Sequence, residues 1–282
     1  LFNFTFGNDG QPHGGDAYRA LLFTLPAVAG LVGATLRIPN SFMIAICGGR
    51  NVKFMTTLLL MLPAIGAGFA LQNPDTPFYI FIILAGLSGV GGGAFASSMS
   101  NISFFFPKRM QGLSLGLNAG LGNAGVSVMQ FLLPWIITFG AFGAIGGEPY
   151  TVDGGNPTWV QNAALVWVPI LAVFGILAFL GMNNLPQHKC GPTPGAVAKY
   201  LWLTLLGFVG ASVGIILLIT PWGGFPVLLK TFVILVLTVV VTLLAMRFLT
   251  PKETKENLMG PFGIFRNKHN WVMTWLYTMT FG

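Results

Sequence analysis

Seven apolar runs long enough to cross a lipid bilayer, and the start of an eighth, constrain this chain more than any other feature. A bilayer core of about 30 Å takes roughly twenty apolar residues as a helix. A window of that length finds segments at about 18–47, 54–72, 78–106, 112–145, 159–182, 199–220 and 225–248, with another beginning at 271–282. Backbone polar groups find no water in hydrocarbon, so only helices and closed barrels can span it, and unbroken apolar runs do not suit alternating barrel strands. The expected fold is therefore an all-α polytopic membrane helix bundle. Its connections carry turn chemistry: "GGRNVK", "QNPDTP", "PKRMQG", "EPYTVDGGNPT", "LPQHKCGPTPG", "PWGGFP" and "PKETKENLMGPFGIFRNKH". Only 7% of the 282 residues are charged, against roughly a quarter in a soluble domain, so membrane lipids are the first expected partners.

Charge gives the orientation. Arg50, Lys53, Lys108, Arg109, Lys189, Lys199, Arg247, Lys252, Lys255, Arg266 and Lys268 fall on one side of these spans, and only Arg19 and Lys230 on the other. Asp9, Asp16, Asp75, Glu148 and Asp153 share that second side. The positive-inside rule then places the basic loops in the cytoplasm, residues 1–17 outside, and the chain in the cell's inner membrane. Fourteen basic residues scattered over loops are no nucleic-acid footprint, so no nucleic-acid partner is expected despite the formal charge of +7. Cys47 and Cys190 make no disulfide framework and read as inert fillers. His13, His188 and His269 lie in loops or at a helix end; no metal site and no cofactor is expected. Ser97, Ser98 and Ser100 have no acid–base partner nearby, so no catalytic residue is assigned and an enzyme is not expected. A start at Leu1 and a last run, "WLYTMTFG", of about half a span's length lead us to expect a fragment with one truncated span.

Glycine is the second signal. "GLSGVGGGAF" (86–95) and "GLSLGLNAGLGNAG" (112–125) set small residues three and four apart on consecutive spans. Such spacing lets helix backbones approach where lipid offers no hydrophobic drive. Gly89, Gly93, Gly116, Gly120, Gly122 and Gly125 are expected to serve helix packing, and also to suit surfaces that slide or rock.

Arg37 stands inside the first run. It lies eleven residues before Gly48, roughly 16 Å from the cytoplasmic edge at 1.5 Å per residue. An arginine at that depth costs at least about 2.5–3.5 kcal/mol, and it cannot escape by losing its proton. It serves either to satisfy backbone carbonyls freed by Pro39 or to meet a mobile anion. Three other spans bring polar or aromatic groups to a similar level. Counting 1.5 Å per residue, Asn123 lies about 16 Å from the same edge, Phe95 roughly 18 Å and Tyr277 about 13 Å, with Phe281 one turn deeper. A shared cavity is the economical reading of that coincidence. A guanidinium offers parallel donors to a planar anion, an amide and a phenol add uncharged donors, and phenyl rings would sandwich its faces. The set suits a small, flat, weakly hydrated monoanion. No Asp, Glu or His lies inside a span, so exchange of one anion for another is easier to build than proton symport.

At this point the residues resemble a known family. "GGGAFASSMSNISFFFPKRMQGLSLGLNAGLGNAGVSVMQ" (91–130) closely resembles the nitrate signature of the nitrate/nitrite porters, the NarK/NasA type of the major facilitator superfamily. "LRIPNSFMIAICGGR" (36–50) is similar to their second helix and "WLYTMTFG" to their seventh. The resemblance implies a twelve-helix carrier of two pseudo-symmetric halves with the substrate site between them. It implies nitrate and nitrite as substrates, bound by Arg37, Phe95, Asn123, Tyr277 and Phe281. It further implies that residues 1–185 form the N-terminal half without its first helix and that 266–282 start the C-terminal half. Residues 186–265, between them, carry two additional spans expected at the lipid-facing periphery. The "GGRNVK" segment resembles a shortened basic loop between helices two and three, with Arg50 and Lys53 serving orientation and gating. The expected activity is nitrate/nitrite exchange by alternating access in a monomer, with proton-coupled nitrate symport as the alternative.

Overall fold

The computed structural model describes residues 22–151, 155–186, 188 and 190–281. His13, Arg19, Asp9, Asp16, Asp153 and Lys189 lie outside the described residues, as does the segment expected outside the membrane at 1–17. The chain is an all-α polytopic membrane bundle. Its helices are α1 (Thr24–Cys47), α2 (Gly49–Ala70), α3 (Phe78–Phe105), α4 (Lys108–Ile136), a single turn α5 (Asn162–Leu165), α6 (Trp167–Gly181), α7 (Thr193–Ile219), α8 (Val227–Leu249), α9 (Lys252–Phe262) and α10 (Lys268–Phe281). Among the described residues six stretches are long and apolar enough to cross a membrane: α1, α2, α3, α5 with α6, α7 and α8. The fourth expected span is long enough at 29 residues, but glycine, asparagine and glutamine dilute its hydropathy. The last is a helix of 14 residues.

Several boundaries correct the sequence reading. "GGRNVK" is not a loop. Gly48 alone breaks the chain between α1 and α2, at φ 84 and ψ 147, and helix resumes at Gly49. Three side chains from elsewhere make that corner possible. Asn184 Oδ1 accepts from the Arg50 backbone N–H at 3.0 Å, Cys190 presses its Sγ on the Gly48 position, and Asn101 Oδ1 lies against Gly49. A side chain at 48 would meet both an unfavourable backbone angle and Asn184. Gly48→Ala is therefore expected to lower stability in detergent by about 1–3 kcal/mol, read as a drop in Tm; an unshifted Tm would show the corner to be unstrained.

The helix expected over 112–145 ends at Ile136. The described residues after it, 137–151 and 155–161, instead form a tied cap with a 3-10 turn at Gly143–Gly146 and a bridge between Tyr150 and Thr158. Asn162 Nδ2 donates to the carbonyls of Ile136 and Phe139, and so closes the end of α4. Gln161 Nε2 donates to Gly146 O and Glu148 O, Gln72 Nε2 to Ile145 O, and Tyr150 OH to Leu71 O. The expected span at 159–182 is interrupted at Val166, α7 begins at Thr193 rather than near 199, and the linker 251–269 contains α9 and a 3-10 turn.

Packing sets α3 against both α1 and α2, α6 against α2, and α7 against a different face of α1. The α7–α8 pair is thus not merely lipid-facing. Ala196, Tyr200, Leu203 and Leu206 of α7 share a buried core with Phe42, Met43, Ile44 and Ile46 of α1, closed by Met246 of α8 and Leu258 of α9. The Thr56 and Tyr200 hydroxyls meet at 2.8 Å. On α8, Val227, Leu228, Phe232 and Phe248 are exposed. Lys230 Nζ donates to Leu218 O and Thr220 O, placing a cation at the C-terminal end of α7, where the helix dipole favours one. At the opposite end Lys199 pairs with Glu253 at 2.8 Å and holds that carboxyl below its ordinary range.

Candidate functional site

The site begins with two helices in backbone contact. A Cβ on Gly92 would fall 2.9 Å from Gly33 Cα, one on Gly89 would fall 2.7 Å from Val32 Cβ, and one on Gly93 would fall 2.6 Å from Leu36 Cβ. Only glycine permits α1 and α3 to approach so closely, which is how small residues serve helix contact in lipid. That approach carries Arg37 across to α3. Its Nε donates to Gly92 O at 3.4 Å, and its guanidinium carbon stands 5.2 Å from the centroid of the Phe95 ring. Gly92 and Phe95 are three residues apart on one helix face, so carbonyl and ring hold the same cation from one side.

The carbonyl that Pro39 frees does not capture this guanidinium. Thr35, Asn40 and Ser41 fold their side chains back on the carbonyls of Leu31, Leu36 and Arg37, one turn before each, and leave the guanidinium aside. The bond to Gly92 is long, and the ring contact is worth about 0.5–2 kcal/mol. Neither neutralises the charge. The two terminal nitrogens of Arg37 have no hydrogen-bond partner among the described residues, and the side chain is exposed on that face. The ion pair of Lys199 with Glu253 is the sole one among the described residues, so no carboxylate balances Arg37 there.

The other candidates are placed differently. Asn123 sits on an exposed face of α4, with no hydrogen bond to Arg37 or to any other described residue. A Cβ added to Gly116, Gly120, Gly122 or Gly125 would meet nothing within 4 Å, whereas Gly89 and Gly93 are closed against α1. The two glycine stripes therefore face different surroundings among the described residues. Tyr277 and Phe281 belong to α10, and their side chains lie outside the described residues.

No protein-family model matches the chain. It is 36% identical over 265 residues to the "probable nitrate/nitrite antiporter NarK2" of Thermus thermophilus, covering 93% of this chain and 45% of that protein. It is 44% identical over 207 residues to the nitrate/nitrite transporter NarU of Escherichia coli strain K12, covering 70% of this chain and 45% of that one. The chain belongs to the nitrate/nitrite porter family. More distant is the "probable nitrate transporter NarT" of Staphylococcus carnosus, at 32% over 165 residues, 58% of this chain and 36% of that protein. The chain spans about half the length of the curated relatives it matches first.

Within this porter chain the sequence reading set a second cation in a loop, away from the site. Lys53, assigned to a loop, stands in the first turns of α2 and donates from Nζ to Ala94 O at 3.1 Å and Ser97 Oγ at 3.2 Å. Arg37 and Lys53 thus hold α3 by carbonyls only two residues apart. Helical periodicity carried a signal: once the helix starts at Gly49, Val52 and Thr56 mark its buried side and Lys53 lies beside them. Arg50 stays nearer the corner, its guanidinium 5.2 Å from the Phe179 ring and its Nη2 3.4 Å from Thr193 Oγ1.

Proposed function

We propose that the chain is part of a carrier that moves nitrate and nitrite across the cell's inner membrane by alternating access, exchanging one anion for the other. The observation that carries this is Arg37, set against Phe95 on backbone-close helices, with no partner for its two terminal nitrogens and no carboxylate beside it among the described residues. A planar monoanion completes such a group, and a guanidinium binds it through two oxygens at once. In this reading Arg37 and Phe95 bind substrate together with Asn123, Tyr277 and Phe281, and the basic loops face the cytoplasm. Residues 1–185 contribute one half of the carrier, 266–282 begin the other, 186–265 carry the additional helix pair, and the carrier works as a monomer. An empty site would leave its positive charge uncompensated as the halves close; a bound anion relieves that, so loaded carriers cross and exchange follows. The glycine surface of α4 suits the sliding contact.

The test is uptake of labelled nitrate into proteoliposomes. Internal nitrite is expected to accelerate uptake, and a proton gradient to leave it unchanged. Dependence on the gradient with indifference to internal nitrite would overturn exchange. One observation favours that second reading, proton-coupled nitrate symport. Lys53 is an ionisable group within the α2 span, held among the described residues by two neutral oxygens, and ionisable groups inside a membrane mark proton and ion pathways.

A further inference from the structure

The helix that carries Arg37 is held from two sides by glycine notches, and one side chain occupies both. Leu36, fully buried, presses its Cβ into the notch at Gly93 of α3, where an added Cβ would lie 2.6 Å away. Its Cδ2 reaches the opposite notch at Gly207 of α7, where an added Cβ would lie 2.5 Å from it and 3.1 Å from Pro39 Cγ. Leu36 is the residue beside Arg37. Nor is α7 free to retreat from it. Gly210 and Gly214 pack on Thr242 and Thr238 of α8, Gly214 also meets Leu31 of α1, and Tyr200 is bonded to Thr56 of α2.

We propose that Gly207 is a positioning residue for the anion site: by admitting Leu36 it fixes the rotation of α1 that keeps Arg37 on the Phe95 ring. The pair α7–α8 then acts as a brace behind the substrate arginine. This rests on the reading of Arg37 given above. Geometry makes the setting sensitive. A turn of α1 by about 15° carries a group roughly 7 Å from the helix axis by about 2 Å. The guanidinium already stands 5.2 Å from the ring centroid, and the attraction extends to about 6 Å. Such a turn ends the contact.

The experiment is a double-mutant cycle on nitrate uptake, with the protein carrying this chain expressed in full and reconstituted. Gly207→Leu is expected to raise the apparent KM for nitrate at least about 5-fold, with maximal rate and membrane level close to the parent. Adding Leu36→Ala to that variant is expected to bring KM back to within about 2-fold, because it vacates the space the new side chain needs. Gly223→Ala, in the open outer turn where a Cβ meets nothing within 4 Å, serves as the control and leaves KM unchanged. If Gly207→Leu does not reach the membrane, Gly207→Ala is read in the same cycle, with a smaller rise expected. An unchanged KM at normal membrane level overturns the proposal, as does a raised KM that Leu36→Ala does not relieve. A parent protein that moves no nitrate defeats the transport reading and this proposal with it. Parental uptake with an indifferent Gly207 variant defeats this proposal alone.

Discussion

Arg37→Lys is expected to remove most nitrate uptake while leaving the protein in the membrane at its normal level. The substitution keeps the positive charge and so keeps most of what burial of that charge costs. It removes the planar fork. A lysine offers a point charge on a flexible stem and cannot bind two oxygens of a flat anion in parallel. It also gives up the guanidinium's contact with the Phe95 ring and the Nε bond to Gly92 O. Hydrogen bonds to charged groups are worth about 1.5–3 kcal/mol each, so losing one of two parallel bonds weakens binding by roughly 10- to 100-fold. Stability is expected to change little, because the lost bond is long and the ring contact modest. The check is initial-rate uptake in proteoliposomes, normalised to reconstituted protein and followed over a wide nitrate range. Transport by the lysine variant at near-parental affinity would mean that the substrate is not held by this fork, and the proposed site would fall.

Why this arginine was legible in the sequence, while much around it was not, has a physical basis. Depth in a membrane helix is a matter of counting, at 1.5 Å per residue. Arg37 and Phe95 could therefore be set at one level without knowing how α1 and α3 face each other, and the structure brings them to 5.2 Å. Counting gives no azimuth, so it could not say which way Asn123 faces on α4. The corner at Gly48 was hidden for a different reason. Arg50, Asn51 and Lys53 look like a solvated loop because their partners are remote in sequence: Asn184 for the Arg50 backbone, Ala94 and Ser97 for Lys53. The end of α4 was missed because the residues after Ile136 are apolar. The donors that close the helix end come from far along the chain, from the Asn162 side chain and the Trp159 backbone N–H. The place of α7 was out of reach for hydropathy of any kind. In lipid a face turned to a neighbouring helix is as apolar as one turned to acyl chains, so the docked side of α7 and its exposed side read alike. Its glycines at 207, 210 and 214 mark the docked side, and that spacing could have been weighed as it was for α3.

Gly89→Val is expected to lower stability substantially. A Cβ at this position would lie 2.7 Å from Val32 Cβ and 2.9 Å from Ala29 O. Neither neighbour can swing aside, since one is backbone and the other the branched stub of a buried residue. The added bulk must push α1 and α3 apart, and overpacking of this kind costs about 1–3 kcal/mol. The expected readouts are a lower Tm in detergent and a lower membrane yield. Separation of the helices also draws Arg37 away from Gly92 O, so the affinity of surviving protein for nitrate is expected to fall as well. Gly116→Val provides the contrast. On α4 an added Cβ meets nothing within 4 Å among the described residues, so the detergent Tm is expected to stay near the parental value. If the α4 stripe is a sliding surface, Gly116→Val lowers the maximal rate of exchange instead. The two glycine stripes would then be separated by experiment, with Gly89 setting a fixed contact and Gly116 a moving one. Equal losses of Tm at both positions would show that α4 is packed as tightly as α3 in the intact carrier, and the distinction between the stripes would go.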